Sequence, residues 1–317
     1  MRQKSSAPYL SMVVPFYNEE EVALIAIREI SAITNSFDFR TEIIAVNDGS
    51  TDATVEVLLN AKKNHENLRI LNFKRNWGHM TALSHGLLHS QGEIIISIDG
   101  DLQDPPEYIS ELISIYLNSQ RAKVPIDVVQ TVRTDRSSDS YFKRTSATLY
   151  YKLIRKLTGV NVIPHAADYR LLNRTSVDLI NSMNPSMKVF RILIPYLGLR
   201  IATLDIRRDV RFAGKSKYRL KEMVKLTFNS FFSFSSKPLR IISASAFFSS
   251  IFLFFLSLIF FFLWLRGATV PGWTSIVLLM TALNCFLIAT LGVLGEFIGR
   301  IYELAQNRSA AEVTEEF

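Results

Sequence analysis

Asp99 and Asp101 close the apolar run Ile94-Ile95-Ile96-Ser97-Ile98 and are followed by Gln103, Asp104, Pro105 and Pro106. A β-branched run of this kind reads as a buried strand, and its end delivers both carboxylates to the strand's C-terminal edge. Alternate strand residues face the same way, so the i, i+2 spacing sets the carboxylates on one side, with the small Gly100 leaving room for a bulky ligand. Two hard oxygen donors so placed suit Mg²⁺ or Mn²⁺, which bind one or two carboxylates and share a substrate's phosphates. The plainer reading is an acidic strand-to-helix turn, with Asp104 and Pro105 starting the next helix. A calcium hand is disfavoured: counted from Asp99, position 6 should be Gly and is Asp104, and position 12 should be Glu and is Ser110.

The elements around this junction alternate. Strand-like runs at Leu10–Val14, Glu42–Val46, Leu68–Asn72, Glu93–Ile98 and Asp127–Val132 are separated by helical patterns at Glu19–Ala32, Asp52–Asn64, Met80–His89 and Pro106–Leu117. That order predicts an α/β fold, a mostly parallel sheet flanked by helices, with ligands beyond the carboxyl ends of the strands. Strand one ends in Pro15-Phe16-Tyr17-Asn18-Glu19 and strand two in Asn47-Asp48-Gly49-Ser50-Thr51-Asp52. Tyr17 beside a carboxylate offers a stacking wall and a polar anchor for a nucleobase, although Pro15 and Tyr17 also suit a plain turn. Asp48 could accept a base N–H, whereas Ser50 or Thr51 is expected to cap the following helix. No Gly-x-Gly-x-x-Gly and no Walker loop occurs, which disfavours dinucleotide and phosphate-loop enzymes.

The second half is membrane-like. No charge occurs from Ile241 to Leu265 or from Gly267 to Gly295, and each stretch exceeds the roughly 20 apolar residues that span a bilayer. Pro271 and Gly272 mark the turn between two expected spans, 239–266 and 273–301. Lys215, Lys217, Arg219, Lys221, Lys225, Lys237 and Arg240 crowd the approach, while the loop between the spans carries only Arg266, so both termini are expected in the cytoplasm. Met1–Ala7 lacks an apolar run, and no cleaved signal is expected. The net charge of +7 and pI near 9.4 fit a basic collar at anionic headgroups better than a nucleic-acid site, because the basic residues do not interleave with aromatics. The single Cys285 rules out an intrachain disulfide. Tyr218–Phe234 mixes basic with Leu, Met and Phe positions, as in an interfacial helix. The expected organisation is a cytosolic catalytic domain over 1–212, a loop and interfacial helix over 213–238, the two spans, and a cytosolic tail over 302–317.

Six segments together resemble the inverting, metal-dependent glycosyltransferases of family 2, and among them the polyprenyl-phosphate glycosyltransferases such as dolichyl-phosphate mannose synthases and bactoprenol glucosyltransferases. They are residues 14–20, 46–52, Arg75-Asn76-Trp77-Gly78, the run from Asp99 to Pro106, Asp168-Tyr169-Arg170-Leu171, and Gly214-Lys215-Ser216-Lys217-Tyr218. The resemblance implies a GT-A fold in which Pro15, Tyr17, Glu19, Val46 and Asp48 hold the nucleoside and Asp99, Gly100 and Asp101 meet the donor, with Asp101 and Gln103 at an Mg²⁺ or Mn²⁺ ion. It implies that Arg211 and Lys217 belong to a loop closing over the diphosphate, where cations stabilise the leaving charge. Some of Arg133, Arg136, Lys143 and Arg144, with Arg170, would receive an acceptor phosphate. Asp168 is the family's acceptor-side carboxylate, either a base or an orienting residue, since a phosphate monoester is already largely ionised at neutral pH. His165 is an alternative base. His79, His85 and His89 share a helical pattern but lack a further ligand at zinc spacing.

The implied reaction is attack of a polyprenyl (undecaprenyl) phosphate on the anomeric carbon of a UDP- or GDP-sugar, UDP-glucose-like favoured. It would take place at the cytoplasmic face of the plasma membrane and serve cell-envelope glycan modification. The family often forms homo-oligomers. A processive polysaccharide synthase is a weaker reading, because none of Trp77, Trp264 and Trp273 is preceded by Arg as a Gln-x-x-Arg-Trp motif requires. An inactive scaffold would be expected to have lost the carboxylates, and they are intact.

Overall fold

The computed structural model describes residues 7–134, 155, 159–183, 189–207 and 313–317, with scattered positions between 248 and 301. The chain divides into two units, one of residues 1–230 with 309–317, the other of residues 231–308. In the first, eight strands form one sheet in the order β7-β5-β6-β4-β1-β2-β3-β8. In chain order these are β1 Leu10–Phe16, β2 Thr41–Asn47, β3 Leu68–Phe73, β4 Ile94–Ser97, β5 Val128–Arg133, β6 Ala166–Asn173, β7 Ile201–Ile206 and β8 Val313–Glu316. The helices are α1 Ala23–Thr34, α2 Thr54–Lys62, α3 His79–His89, α4 Tyr108–Ser119, α5 Arg174–Asn181 and α6 Phe190–Tyr196.

The run β3-β2-β1-β4 is parallel throughout. Its central strands are apolar on both faces, β1 being buried at all 7 positions, as expected where helices cover both sides of a sheet. α1 buries Ala23, Ala26, Ile27 and Ile30, and α4 buries Ile109, Leu112, Ile113 and Tyr116, each a helical stripe at three- and four-residue spacing. The five strands and four helices expected in the first half are all present, with ends shifted by a few residues.

Beyond β4 the sheet turns mixed. β6 inserts antiparallel between β4 and β5, pairing Ser97 with Arg170, and β7 lies parallel to β5. At the other edge the last strand, β8, pairs antiparallel with β3. The C-terminal residues read as a tail therefore complete the sheet, through Ile70 and Phe317 exchanging backbone hydrogen bonds of 3.0 Å each.

The spans expected at 239–266 and 273–301, the 213–238 segment, and the candidates Arg136, Lys143, Arg144, Arg211 and Lys217 lie outside the described residues, apart from scattered helical positions in the second unit. Among the described residues no helix is long and apolar enough to cross a membrane.

Candidate active site

The ends of β1 and β2 are tied together by side chains from their loops. Asn18, at φ +53°, receives the Thr51 N–H at 2.8 Å, and its own N–H donates to the Ser50 hydroxyl at 2.9 Å. Ser50 in turn donates to Asn47 at 2.5 Å, and the Glu19 N–H donates to Thr54 at 2.9 Å. Ser50 and Thr51 thus link two loops rather than cap α2; Asp52 accepts the Thr54 N–H near that helix start.

Asp48 is engaged from the neighbouring loop. Its carboxylate is 2% exposed and accepts Asn76 Nδ2 at 3.1 Å, the Trp77 N–H at 2.8 Å and the Gly78 N–H at 3.0 Å. Burial raises its pKa, against the lowering pull of those two N–H groups and His79. Asp48 holds the β3–α3 loop, whose Arg75 stacks on Trp77 at 3.8 Å. That fixes the start of α3, where His79 sits. Gly49, at φ +62°, is required here: a Cβ would lie 2.1 Å from the Arg75 backbone. Val46 and Pro15 are buried within their strands, which leaves Tyr17 and Glu19 as the half-exposed members of the expected nucleoside set.

Asp99 follows β4 by two residues. The Cβ side of Gly100 is filled by β1: a Cβ there would meet the Phe16 ring at 2.5 Å and the Pro15 carbonyl at 2.9 Å. The glycine is needed because β1 packs against the turn. Leu102, at φ +54°, reverses the chain so that Asp101 accepts the Gln103 N–H at 3.2 Å. A non-glycine residue in this region marks a turn held by its surroundings. Asp104, expected to begin a helix, is instead buried and clamps Arg133 through bonds of 3.0 and 2.6 Å.

The antiparallel pairing of Ser97 with Arg170 carries Asp168 past the end of β4 to the neighbourhood of Asp99. Ser97 also donates to the Asp168 carbonyl at 2.7 Å. Asp168 is buried, with Arg170 Nη2 at 2.5 Å from Oδ1, and Arg191 Nη2 at 3.2 Å and His79 Nε2 at 3.7 Å from Oδ2. His79 Nε2 also lies 3.4 Å from Asp99 Oδ1, and Arg133 Nη2 lies 4.0 Å from Asp99 Oδ2.

These neighbours push the two carboxylates apart in acidity. Burial drives Asp99 up, Asp168, Asp101 and Asp104 add to the rise, and His79 opposes it. Burial pushes Asp168 up too, but Arg191, Arg170, His79 and Arg133 together carry it well below the usual carboxylate range. Asp168 is thus a weak proton acceptor held ionised, whereas Asp99 gains from any added positive charge. Asp99 Oδ1 is buried without a hydrogen-bond partner among the described residues. That orphaned oxygen, two residues from Asp101 and beside the buried Gln103, is a donor set suited to a hard divalent cation. Among the described residues no group of three or more His, Cys, Asp and Glu is arranged to hold a metal.

Two site residues escaped the sequence reading. His79 directly follows the Arg75–Gly78 motif, but its spacing with His85 and His89 suggests only a zinc pattern. Arg191 stands 23 residues beyond Asp168 with no local motif to mark it.

Comparison with known proteins agrees with this architecture. The model of glycosyl transferase family 2 matches residues 11–180. The chain is 33% identical over 299 residues to a glycosyltransferase of uncharacterised role from Bacillus subtilis, YkcC, covering 94% of this chain and 91% of that one. It is also 33% identical to the prophage bactoprenol glucosyl transferase homolog of Escherichia coli, over 92% and 94% of the two chains. Among solved structures, glucosyl-3-phosphoglycerate synthase from Mycobacterium tuberculosis, with Mn²⁺, UDP-glucose and phosphoglyceric acid, superposes with a TM-score of 0.53 at 18% identity over 72% of this chain and 78% of that one. At that identity the likeness shows the shared GT-A type fold.

Proposed function

Because the chain belongs to glycosyl transferase family 2, we propose that it moves a sugar from a nucleotide-sugar to a polyprenyl phosphate at a membrane surface. The observation that carries this reading is that His79 lies between Asp99, two residues from Asp101, and Asp168, whose counter-cations Arg170 and Arg191 can tolerate an anion beside it. Relatives named for bactoprenol glucosyl transfer, similar over almost the whole chain, support the acceptor class. The UDP-glucose bound in a structural neighbour is consistent with a UDP-linked donor, glucose being favoured.

Asp101, Asp99 and Gln103 would hold a divalent cation, Mg²⁺ or Mn²⁺, whose contribution when bound is to neutralise the leaving diphosphate. The chain's own residues do the rest. The laced β1 and β2 loops present Tyr17 and Glu19 to the nucleoside, and Asp48 holds the Arg75–Gly78 loop beside them. Arg211 and Lys217 would close over the diphosphate. Asp168, ionised and paired, orients the acceptor side; a phosphate monoester with a second pKa near 6 needs little proton removal. The acceptor oxygen attacks the anomeric carbon from the face opposite the nucleotide and inverts it.

Membrane attachment rests on the uncharged stretches 241–265 and 267–295. At described helical positions of the second unit, Phe248, Phe252 and Ile298 are each about two-thirds exposed, at 68%, 66% and 65%. Apolar side chains so exposed mark a surface that meets lipid or another apolar partner.

The test supplies the full chain, in lipid with Mg²⁺ or Mn²⁺, with undecaprenyl phosphate and a panel of labelled UDP- and GDP-sugars. One donor should label the lipid with a single sugar, and Asp101→Asn should abolish this while remaining folded. A growing polymer would indicate a synthase. Nucleotide binding without transfer from any donor would indicate a scaffold.

A further inference from the structure

Asp99 and Asp168 come from different parts of the sheet, the first just beyond the end of β4 and the second within β6. Among the described residues, Arg133 is ion-paired with Asp99, and Arg170 and Arg191 are ion-paired with Asp168. His79 is paired with both: its Nε2 lies 3.4 Å from Asp99 Oδ1 and 3.7 Å from Asp168 Oδ2. Each arginine therefore meets one of the two carboxylates, and the imidazole meets the pair.

This joint is firmly mounted. His79 is the first residue of α3. Just before it, the Trp77 and Gly78 N–H groups are held by Asp48 at 2.8 and 3.0 Å, and the Gly78 carbonyl accepts the N–H groups of Thr81 and Ala82 at 2.9 and 3.2 Å. Two turns further on, Gly86 brings the helix so close to β1 and β2 that a Cβ there would lie 2.2 Å from Val13 Cγ1 and 3.1 Å from Val46 Cγ2. The backbone under His79 is thus fixed from both sides, and the ring adjusts only about its own side-chain torsions. An ionised carboxylate only accepts hydrogen bonds, so Nε2 serves either one as a donor. At 3.4 and 3.7 Å it is committed to neither, and contacts of this length in a reaction site tighten when substrate closes it.

We propose that His79 is a positioning residue that sets the spacing between the donor side of the site at Asp99 and the acceptor side at Asp168. This rests on the functional reading above and deepens it. An incoming phosphate oxygen and a leaving diphosphate must stand in line on opposite faces of one carbon, and a misplacement of about 1 Å can cost on the order of 100-fold in rate. One donor that meets both carboxylates holds that separation from the middle. Its reach matters, because the nitrogen concerned is the far one of the ring. Glutamine carries its amide nitrogen about as far from the backbone and can stand in for it, whereas asparagine ends short.

The experiment compares full-length His79→Ala, His79→Asn and His79→Gln with wild type in lipid, using undecaprenyl phosphate and UDP-glucose or whichever labelled panel sugar wild type prefers. His79→Ala should lower kcat by about 10- to 100-fold with the KM of donor and of acceptor little changed, because spacing is felt in the transition state rather than in the binding of either substrate. His79→Gln should recover most of that loss and His79→Asn little of it, a difference that decides the matter even if the alanine variant fails to fold. A retained kcat, a loss confined to one KM, or equal recovery by Asn and Gln overturns the proposal. A second measurement needs no sugar transfer. Thermal midpoints of His79→Gln or His79→Ala combined with Asp99→Asn, and separately with Asp168→Asn, should fall by less than the sum of the single losses, as for residues in contact. If wild type transfers no sugar while both cycles are non-additive, the functional reading falls and the bridge between the carboxylates stands. Transfer by wild type with additive losses in either cycle sinks the bridge alone.

Discussion

Asp168 is a buried carboxylate set between two arginines. Two guanidinium groups hold it ionised, one buried and one half-exposed. Its folded pKa lies below the ordinary 3.8. Its contribution to stability is therefore full above the unfolded value and is lost as the pH falls through it toward the folded value. Asp168→Asn leaves Arg170 buried with no counter-charge, a change that costs about 3–5 kcal/mol at neutral pH. Thermal unfolding in detergent should show a lowered midpoint for this variant at pH 7, with the gap to wild type narrowing as the pH drops below 4; a gap independent of pH would contradict the pairing. Gly100→Ala tests a different residue-level claim. A Cβ 2.5 Å from Phe16 should destabilise by roughly 1–3 kcal/mol, the usual cost of overpacking, even though no ligand is displaced. An unaltered midpoint would return Gly100 to the ligand side. Sequence reasoning singled out Asp99, Asp101 and Asp168 because strand ends and motif order mark them, and the fold brings Asp99 and Asp168 to a common neighbour, His79. It did not reveal the partners of Asp48 and Gly100, the 76–78 loop and Phe16, which are distant in sequence and fixed only by folding.

Among the elements, the parallel half was legible because its strands are unbroken β-branched runs separated by amphipathic helices, a pattern set by local burial. β6 was missed because Ala-Ala-Asp-Tyr-Arg-Leu-Leu places an acid and a base at fully enclosed positions, acceptable only once they find each other and Arg191. β8 was missed for a related reason. Val-Thr-Glu-Glu is short and acidic, and it forms a strand because Arg69, 247 residues away, bonds Glu316 at 2.6 Å while also holding Glu42 at 2.7 Å. Covering β3 removes an exposed strand edge. It also joins the tail to the nucleotide loops, since Glu315 accepts from Asn72, which bonds Asn47, which bonds Ser50. Deleting Val313–Phe317 should speed hydrogen exchange at the Ile70 amide, which donates to Phe317, and weaken donor binding more than acceptor binding. Unchanged exchange at Ile70 would show that the strand contributes nothing to the edge.

At the scale of the whole molecule, the return of β8 to the first unit has a topological meaning. Residues 1–230 and 309–317 share one folded unit, so whatever lies between leaves it and comes back. If residues 231–308 enter a bilayer, they cross it an even number of times, and the arrangement expected from the sequence is two spans with a short distal loop. With Cys285 replaced by Ser, a membrane-impermeant thiol reagent should label Thr269→Cys from the face opposite to that from which it labels Lys63→Cys. Labelling of both from one face would contradict the two-span topology. The central claim is narrower than topology: the sugar alone, without its phosphate, passes to a polyprenyl phosphate. It is tested most directly with a donor carrying one label in the sugar and a second in the phosphate attached to it, incubated with the protein and undecaprenyl phosphate in lipid. The account predicts that the lipid product gains the sugar label only, that the phosphate label leaves as nucleoside diphosphate, and that Asp101→Asn yields neither. Both labels appearing together in the lipid would mean sugar-phosphate transfer and would contradict it.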